Sequence, residues 1–240
     1  ADLIFGENGR ILINGSFYCV GNKKQGIKFS PSGNSWGGIY VFGGKANSRV
    51  NIKNTIFKDT DFFKHGVLYL TGGVNIYRAA TSISDTFFNG TIAEDALNII
   101  ESDYELKNVT LSNTRSDAFD SDYSNGKIID AIVTNVGGDA LDFSGGVTEI
   151  ENASISEVND KAISAGETAK VVVKDAVISN VGVGLASKDG SSVTSSGGQI
   201  YNASLSPLMV YQKKDFYAPG EMLVETIEIE NSPDSVAQVG

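Results

Sequence analysis

The chain of 240 residues is poor in several of the residues most often used for cross-linking and catalysis, with one cysteine, one histidine, one tryptophan and four prolines. A single thiol, Cys19, excludes an internal disulfide and is expected to be a small buried apolar residue. The sole histidine, His65, lies well upstream of the acidic motifs described below. No apolar run is long enough to span a membrane, and no signal peptide precedes Ala1, so a mature form or an excised domain is expected. Basic residues number 19 against 29 acidic ones, a net charge of −10, which argues against nucleic acid and against an anionic membrane surface as partners. Helical periodicity is almost absent. With 27 glycines and so few prolines, corners are expected to be turned by Gly, Asn and Asp.

What is present is a repeat. From residue 94 the segments EDALNII, SDAFDSD, GDALDFS and DKAISAG recur, placing Asp95, Asp117, Asp139 and Lys161 at intervals of 22 residues. A step of 23 leads to Gly184 in VGLASKD. A second column, Asp85, Asn108, Asp130, Asn152 and Asp175, opens short runs rich in Val, Ile, Thr and Ser at intervals of 22 or 23 residues. Asn54 precedes Asp85 by 31, and the extra length is expected to be a loop around GGVNIYRAAT. A fixed period of this size predicts a solenoid. β-Branched runs between turn residues predict strands. Together they predict an all-β, right-handed parallel β-helix of about nine or ten coils, on the order of 45 Å long at about 4.8 Å per coil. The repeat runs without a linker, so residues 1–240 are expected to be one domain. Residues 1–30 would start or cap the first coil, and 221–240 would hold a last strand and a frayed tail.

The segments SWGGIYV, DALNII, SDAFDSD, DALDFSG, DKAISAGE, VGLASKDGS and YQKK resemble bacterial surface β-helix repeat domains, some attached to CotH-type kinase-like modules. More broadly the chain resembles the right-handed β-helix superfamily of pectate lyases and polygalacturonases. One departure is visible: the position after each column aspartate, often Gly in such domains, is Ala96, Ala118, Ala140 and Ala162. The resemblance implies an extracellular or cell-surface location and polysaccharide as the partner.

Register places the aspartates. Leu141 and Phe143 should point inward, leaving Asp142 outward, with Asp120 and Ser164 one coil to either side and Asn98 beyond. Asp117 and Asp139 form a parallel pair at the preceding corner, and Asp122 adds a fifth carboxylate. Two unit charges at this separation repel by about 1 kcal/mol in water, or about 3 to 4 at an effective dielectric of 20. A bound cation, proton sharing with a raised pKa, or hydrogen bonds from corner N–H groups can offset this. Oxygen-only ligands with no nearby His or Cys favour Ca²⁺ as that cation, with Asp117, Asp120, Asp139 and Asp142 as the candidate ligands.

The lyase resemblance implies that Ca²⁺ on Asp117, Asp139 and Asp142 would bind a uronate carboxylate, and that Lys161 would remove the C5 proton. A salt bridge from Lys161 to Asp139 or Asp160 is the alternative. The polygalacturonase motifs built on His and on a basic pair are missing. A non-catalytic adhesin, spacer or glycan-binding module stays open, in which the ladder only holds corners together. Tyr104 and Tyr123, with Tyr69 and Tyr77, are candidate sugar-stacking faces. Trp36 is expected to pack over the first coils, and Lys213 and Lys214 to form a small basic spot.

Overall fold

The computed structural model describes residues 1–44 and 47–237. They form a right-handed parallel β-helix of about nine turns, with no helix among the described residues. One turn contains three strands, Asp117–Asp122, Asn125–Ile129 and Ile132–Val136. Each pairs in parallel register with its counterpart one coil on: Asp120 with Asp142, Ile128 with Ile150, Val133 with Ile155. The molecule therefore has three long faces, numbered here in that order.

The interior is three stacked apolar rows. On the first face, Leu97, Phe119, Leu141, Ile163 and Leu185 lie one above another and are buried. Leu106, Ile128, Ile150 and Val173 do the same on the second, and Leu111, Val133, Ile155 and Ile178 on the third. Each such side chain contributes about 1.5–3 kcal/mol by leaving water. Ala96, Ala118, Ala140 and Ala162 are fully buried, so the methyl group after each column residue packs into the interior. Trp36 is buried as expected, stacking on Phe5 at 4.3 Å and donating its ring N–H to the Lys58 carbonyl at 2.9 Å. Cys19 is buried beside Thr55.

All three corners turn through the left-handed region. Between the second and third faces stand Asn54, Asp85, Asn108, Asp130, Asn152 and Asp175, with φ of 48–56°. These are the residues whose short side chains tolerate that conformation best. Between the third face and the next coil, Asn113, Asn135, Glu157, Asn180 and Asn202 form a column that the sequence analysis did not single out. Its amides hydrogen-bond from coil to coil: Asn135 Nδ2 donates to Asn113 Oδ1 at 2.6 Å, and Asn202 Nδ2 to Asn180 Oδ1 at 2.9 Å. Between the first and second faces the column is Arg78, Glu101, Tyr123, Gly145, Glu167 and Asp189.

Three local expectations are corrected. The segment GGVNIYRAAT is not the loop: Gly72–Tyr77 is a strand of the first face, and the extra residues form an antiparallel hairpin of Phe63–His65 and Leu68–Leu70. At the C-terminal end there are two strands, Glu221–Glu225 and Glu228–Glu230, rather than one. The tail is tied down where Val236 and Ala237 pair with Met209 and Val210, and residues 238–240 lie outside the described residues. The N-terminal segment supplies one strand to each face, Asp2–Phe5, Ile11–Asn14 and Phe17–Val20.

Asn135→Ala removes a ladder bond and places a Cβ-branched-free but αL-averse residue at φ 57°, so a loss of about 2 kcal/mol is expected in denaturant unfolding. Asn135→Gly, which keeps the φ, should lose clearly less; equal losses would refute the conformational part of this account.

Candidate acidic face

The first face carries the candidate site because its strands alternate an inward apolar residue with an outward polar one. Asn75, Asn98, Asp120, Asp142 and Ser164 follow one another in register along its outer side. Asp95 and Asp117 are direct register partners at its leading edge. Asp139 and Lys161 continue that row through hydrogen bonds: the Asp139 N–H donates to Asp117 Oδ1 at 2.8 Å, and the Lys161 N–H to Asp139 Oδ1 at 2.9 Å. Asp122, outward by two residues from Asp120, borders the corner at Tyr123.

The crowding has an electrostatic consequence. Burial, then the Asp117 charge, pushes Asp95 up to about 7, against hydrogen bonds from Asn98 and Thr71. Burial likewise raises Asp117 to about 6, with Asp139 and Asp142 adding to it and the Asp139 N–H opposing it. Asp120 stands well above the ordinary carboxylate range through burial and the charges of Asp122, Asp95, Asp142 and Asp117. Burial also raises Asp122 and Asp139, the latter opposed by Lys161. Of the three anticipated offsets, backbone N–H groups are present at Asp117 and Asp139, and the raised pKa values run in the direction that proton sharing requires.

Two lysines supply positive charge at the C-terminal end. Lys161 Nζ lies 3.1 Å from Asp139 Oδ1 and 2.6 Å from Asp160 Oδ2. Lys188, nearly buried, folds over Gly166 and reaches back to Ser164 Oγ at 2.6 Å and Asp142 Oδ1 at 3.4 Å. The sequence analysis did not assign Lys188, although it stands 22, 44 and 66 residues after Gly166, Ser144 and Asp122, and that spacing places it in their column.

Several site expectations change. Tyr104 offers no stacking face: it is 5% exposed, its hydroxyl shares a 2.8 Å hydrogen bond with Thr148, and burial pushes it up to about 12. Its ring passes over Gly126, where a Cβ would collide with it. Lys161 is held above its ordinary value because Asp139 and Asp160 outweigh the burial that would lower it. That is the opposite of what a lysine base requires. Among the described residues no group of three or more His, Cys, Asp or Glu converges closely enough to hold a metal ion. Asp117, Asp120, Asp139 and Asp142 are brought onto one face, but Asp117 is taken up by a backbone N–H and Asp139 and Asp142 by lysines, so the set does not fit a closed Ca²⁺ cage. Tyr123, by contrast, is 62% exposed at the rim. Of the expected basic spot, Lys214 is paired with Glu167 while Lys213 is exposed, and the backbone N–H groups of both donate to the buried Asp189 Oδ1.

At the N-terminal end of the face the hairpin forms a wall, its Phe63 packed on Tyr40 with ring centres 5.7 Å apart. Tyr69, also on the hairpin, is exposed and packs against Phe62 at 5.1 Å.

No protein-family model and no curated protein matches the chain. Among solved structures, the catalytic domain of a GH87 α-1,3-glucanase in complex with nigerose is 9% identical, with a TM-score of 0.36, over 98% of this chain and 61% of that one. A variant of that domain in complex with tetrasaccharides is 10% identical, with a TM-score of 0.40 and the same coverage. The A-module of the Azotobacter vinelandii mannuronan C-5 epimerase is 10% identical, with a TM-score of 0.39, over 97% of this chain and 91% of that one. The likeness is one of fold. The chain spans 61% of the length of the glucanase domain.

The raised carboxylates set a pH dependence. Unfolding returns each to about 3.9, so from about pH 4 to 7 the folded chain holds more protons than the unfolded one. Their stabilising contribution is complete below the unfolded value and lost as pH rises through the folded values. For Asp95, raised to about 7, the loss is on the order of 4 kcal/mol. Glu151, held low by Lys127, acts only at more acid pH. The denaturant midpoint is therefore expected to fall between about pH 5 and about pH 8, less steeply in Asp95→Asn. A midpoint that rises over this range would contradict the arrangement.

Proposed function

We propose that the protein engages polysaccharide outside the cell, with the aspartate-bearing first face as its glycan surface. The observation that carries this reading is Tyr123, a bulky and largely exposed ring held at φ 48° directly after Asp122. A left-handed conformation costs such a residue about 1–2 kcal/mol. A corner that served only to turn the chain would need no more than Asn, Asp or Gly, as Asn54, Asp85, Asn108, Asp130, Asn152 and Asp175 illustrate between the second and third faces. Retained strain that presents an aromatic ring beside hydrogen-bonding carboxyls is a feature of binding sites. The chemistry suits a sugar: its C–H face stacks on the ring, and carboxyls that share protons both donate to and accept from hydroxyls. Tyr69, on the hairpin wall, adds a second exposed ring at the N-terminal end.

A calcium-assisted lyase acting on uronate-containing glycans is the narrower reading of the same face. It is favoured by the register of Asp117, Asp139 and Asp142 with Lys161, and weakened by the protonated state of that lysine. The binding reading requires neither a metal nor a base.

Tyr123→Gly separates function from folding, because glycine relieves the corner while deleting the ring. The variant is expected to equal or exceed the parent in denaturant stability and to lose about tenfold in affinity for the polysaccharides that the parent retains on an immobilised panel. No glycan retained by the parent, or equal retention by the variant, would sink the proposal. Oligouronates incubated with Ca²⁺ provide the lyase arm, read by the ultraviolet absorbance of an unsaturated product.

A further inference from the structure

The second face is not flat. Its outward row runs Tyr18, Asn51, Ser82, Glu105 and Lys127 in parallel register, about 19 Å from end to end over four rungs. In the middle rung the outward side chains are short: Ala80 and Ser82, both exposed. Arg49 and Asn51 rise beside them on the N-terminal side, in register with Ala80 and Ser82. Asp103 and Glu105 rise on the C-terminal side. This step in side-chain length leaves a groove of about 530 Å³, inside the range of about 300–1,000 Å³ that small-molecule sites occupy. Gly126 extends the floor, because the Tyr104 ring lies where its Cβ would be. A smaller hollow of about 320 Å³ shares Arg49, Ala80 and Asp103 with the groove and carries it round to Arg78 and Glu101 at the corner.

The lining joins an apolar floor to polar walls. Val50, Ala80 and the Tyr104 ring lie at the bottom, and the largely exposed ring of Tyr18 stands at the N-terminal end. Charge balances across the groove, with Arg49 and Lys127 against Asp103 and Glu105. Lys127 is paired with Glu149 and Glu151. Asp103 Oδ1 accepts from Asn125 Nδ2 at 3.2 Å, and Asn125 Oδ1 accepts the Val147 N–H at 3.1 Å, so that wall is fixed. Arg49 and Glu105 belong to no ion pair among the described residues. A donor fork and an acceptor thus face each other across the short residues, neither of them neutralised. The strands beneath are paired with the coils before and after them, so the groove offers side chains rather than main-chain groups.

We propose that this groove is a separate binding site for an uncharged oligosaccharide. One sugar stacks its C–H face on Tyr18, and the next lie over Ala80 and Ser82 with their hydroxyls between Arg49 and Glu105. A hydroxyl both donates and accepts, so it serves the guanidinium on one wall and the carboxylate on the other. Charge selects against ionic polymers of either sign: a polyanion meets Asp103 and Glu105, and a polycation meets Arg49 and Lys127. A peptide adds to a sheet through main-chain hydrogen bonds, and on this face those groups are already taken by neighbouring coils. The site lies on a different face from the aspartates and does not rest on the first-face reading.

The test is affinity electrophoresis through gels that contain soluble glucans, mannans, galactans or xylans, with a polyuronate and a glucosamine polymer as charged controls. Tyr18→Ala deletes the stacking ring, and Ser82→Leu raises the floor without adding charge. Both positions are exposed, so the fold is expected to persist, and unfolding curves check it. The expected result is that at least one uncharged polysaccharide retards the parent, with little change when salt is raised. Each groove variant should weaken that retardation by about tenfold. The inference is overturned if no uncharged polysaccharide retards the parent, if a charged polymer does so more strongly, or if both groove variants bind as the parent does. Retardation lost in Tyr123→Gly but kept in both groove variants also overturns it, and leaves the first-face reading standing.

Discussion

Because every strand is hydrogen-bonded in parallel register to the strand one coil before it, each side chain is held about 4.8 Å from its counterparts above and below. The rest of the molecule follows from this constraint. Inside, it stacks Leu, Ile and Phe into continuous rows. At two of the corners it lines up asparagines and aspartates so that one side chain hydrogen-bonds the next. On the outer side of the first face it forces carboxylates together, where stacking is repulsive rather than attractive.

The first face answers that repulsion differently along its length. Towards the C-terminal end, Lys161 and Lys188 neutralise Asp139 and Asp142 directly. In the middle, Asp117 accepts a backbone N–H. Towards the N-terminal end, burial and the neighbouring charges raise the pKa of Asp95 and Asp120, and the Asn98 amide donates to both. The outcome is a graded surface, ion-paired at one end and carrying raised carboxyl pKa values at the other. Its rim is set by Tyr123 and its N-terminal wall by the hairpin.

The three corners separate architecture from function. Along the other two corners the left-handed position is held mostly by Asn or Asp, which adopt it at little cost, with Glu157 and Thr226 as exceptions. Along the corner that borders the acidic face, the same position is occupied by Arg78, Glu101, Tyr123 and Glu167. These side chains do not ease the turn; Arg78 and Glu101 pair with each other, Glu167 pairs with Lys214, and Tyr123 is left exposed. Proteins store backbone strain of this kind where a side chain must be presented in one place.

The 22-residue interval by itself determined the coil, the inward rows and the set of outward aspartates, because in a parallel solenoid equal spacing along the chain becomes adjacency in space. The same arithmetic reaches the Asn113 column and Lys188 once it is applied beyond the aspartates. Irregular steps hide what they contain, and the hairpin and the return of Val236 to the first face belong to such steps. Tertiary structure alone decided which way the ambiguous side chains turn. Tyr104 and Tyr123 look alike in sequence, yet Tyr104 falls on an inward position where Gly126 leaves a space for its ring, while Tyr123 stands on a corner with no interior side. It also decided the charge states, since the pKa of a carboxyl depends on burial and on neighbours from other coils, and those exist only once the coils are stacked.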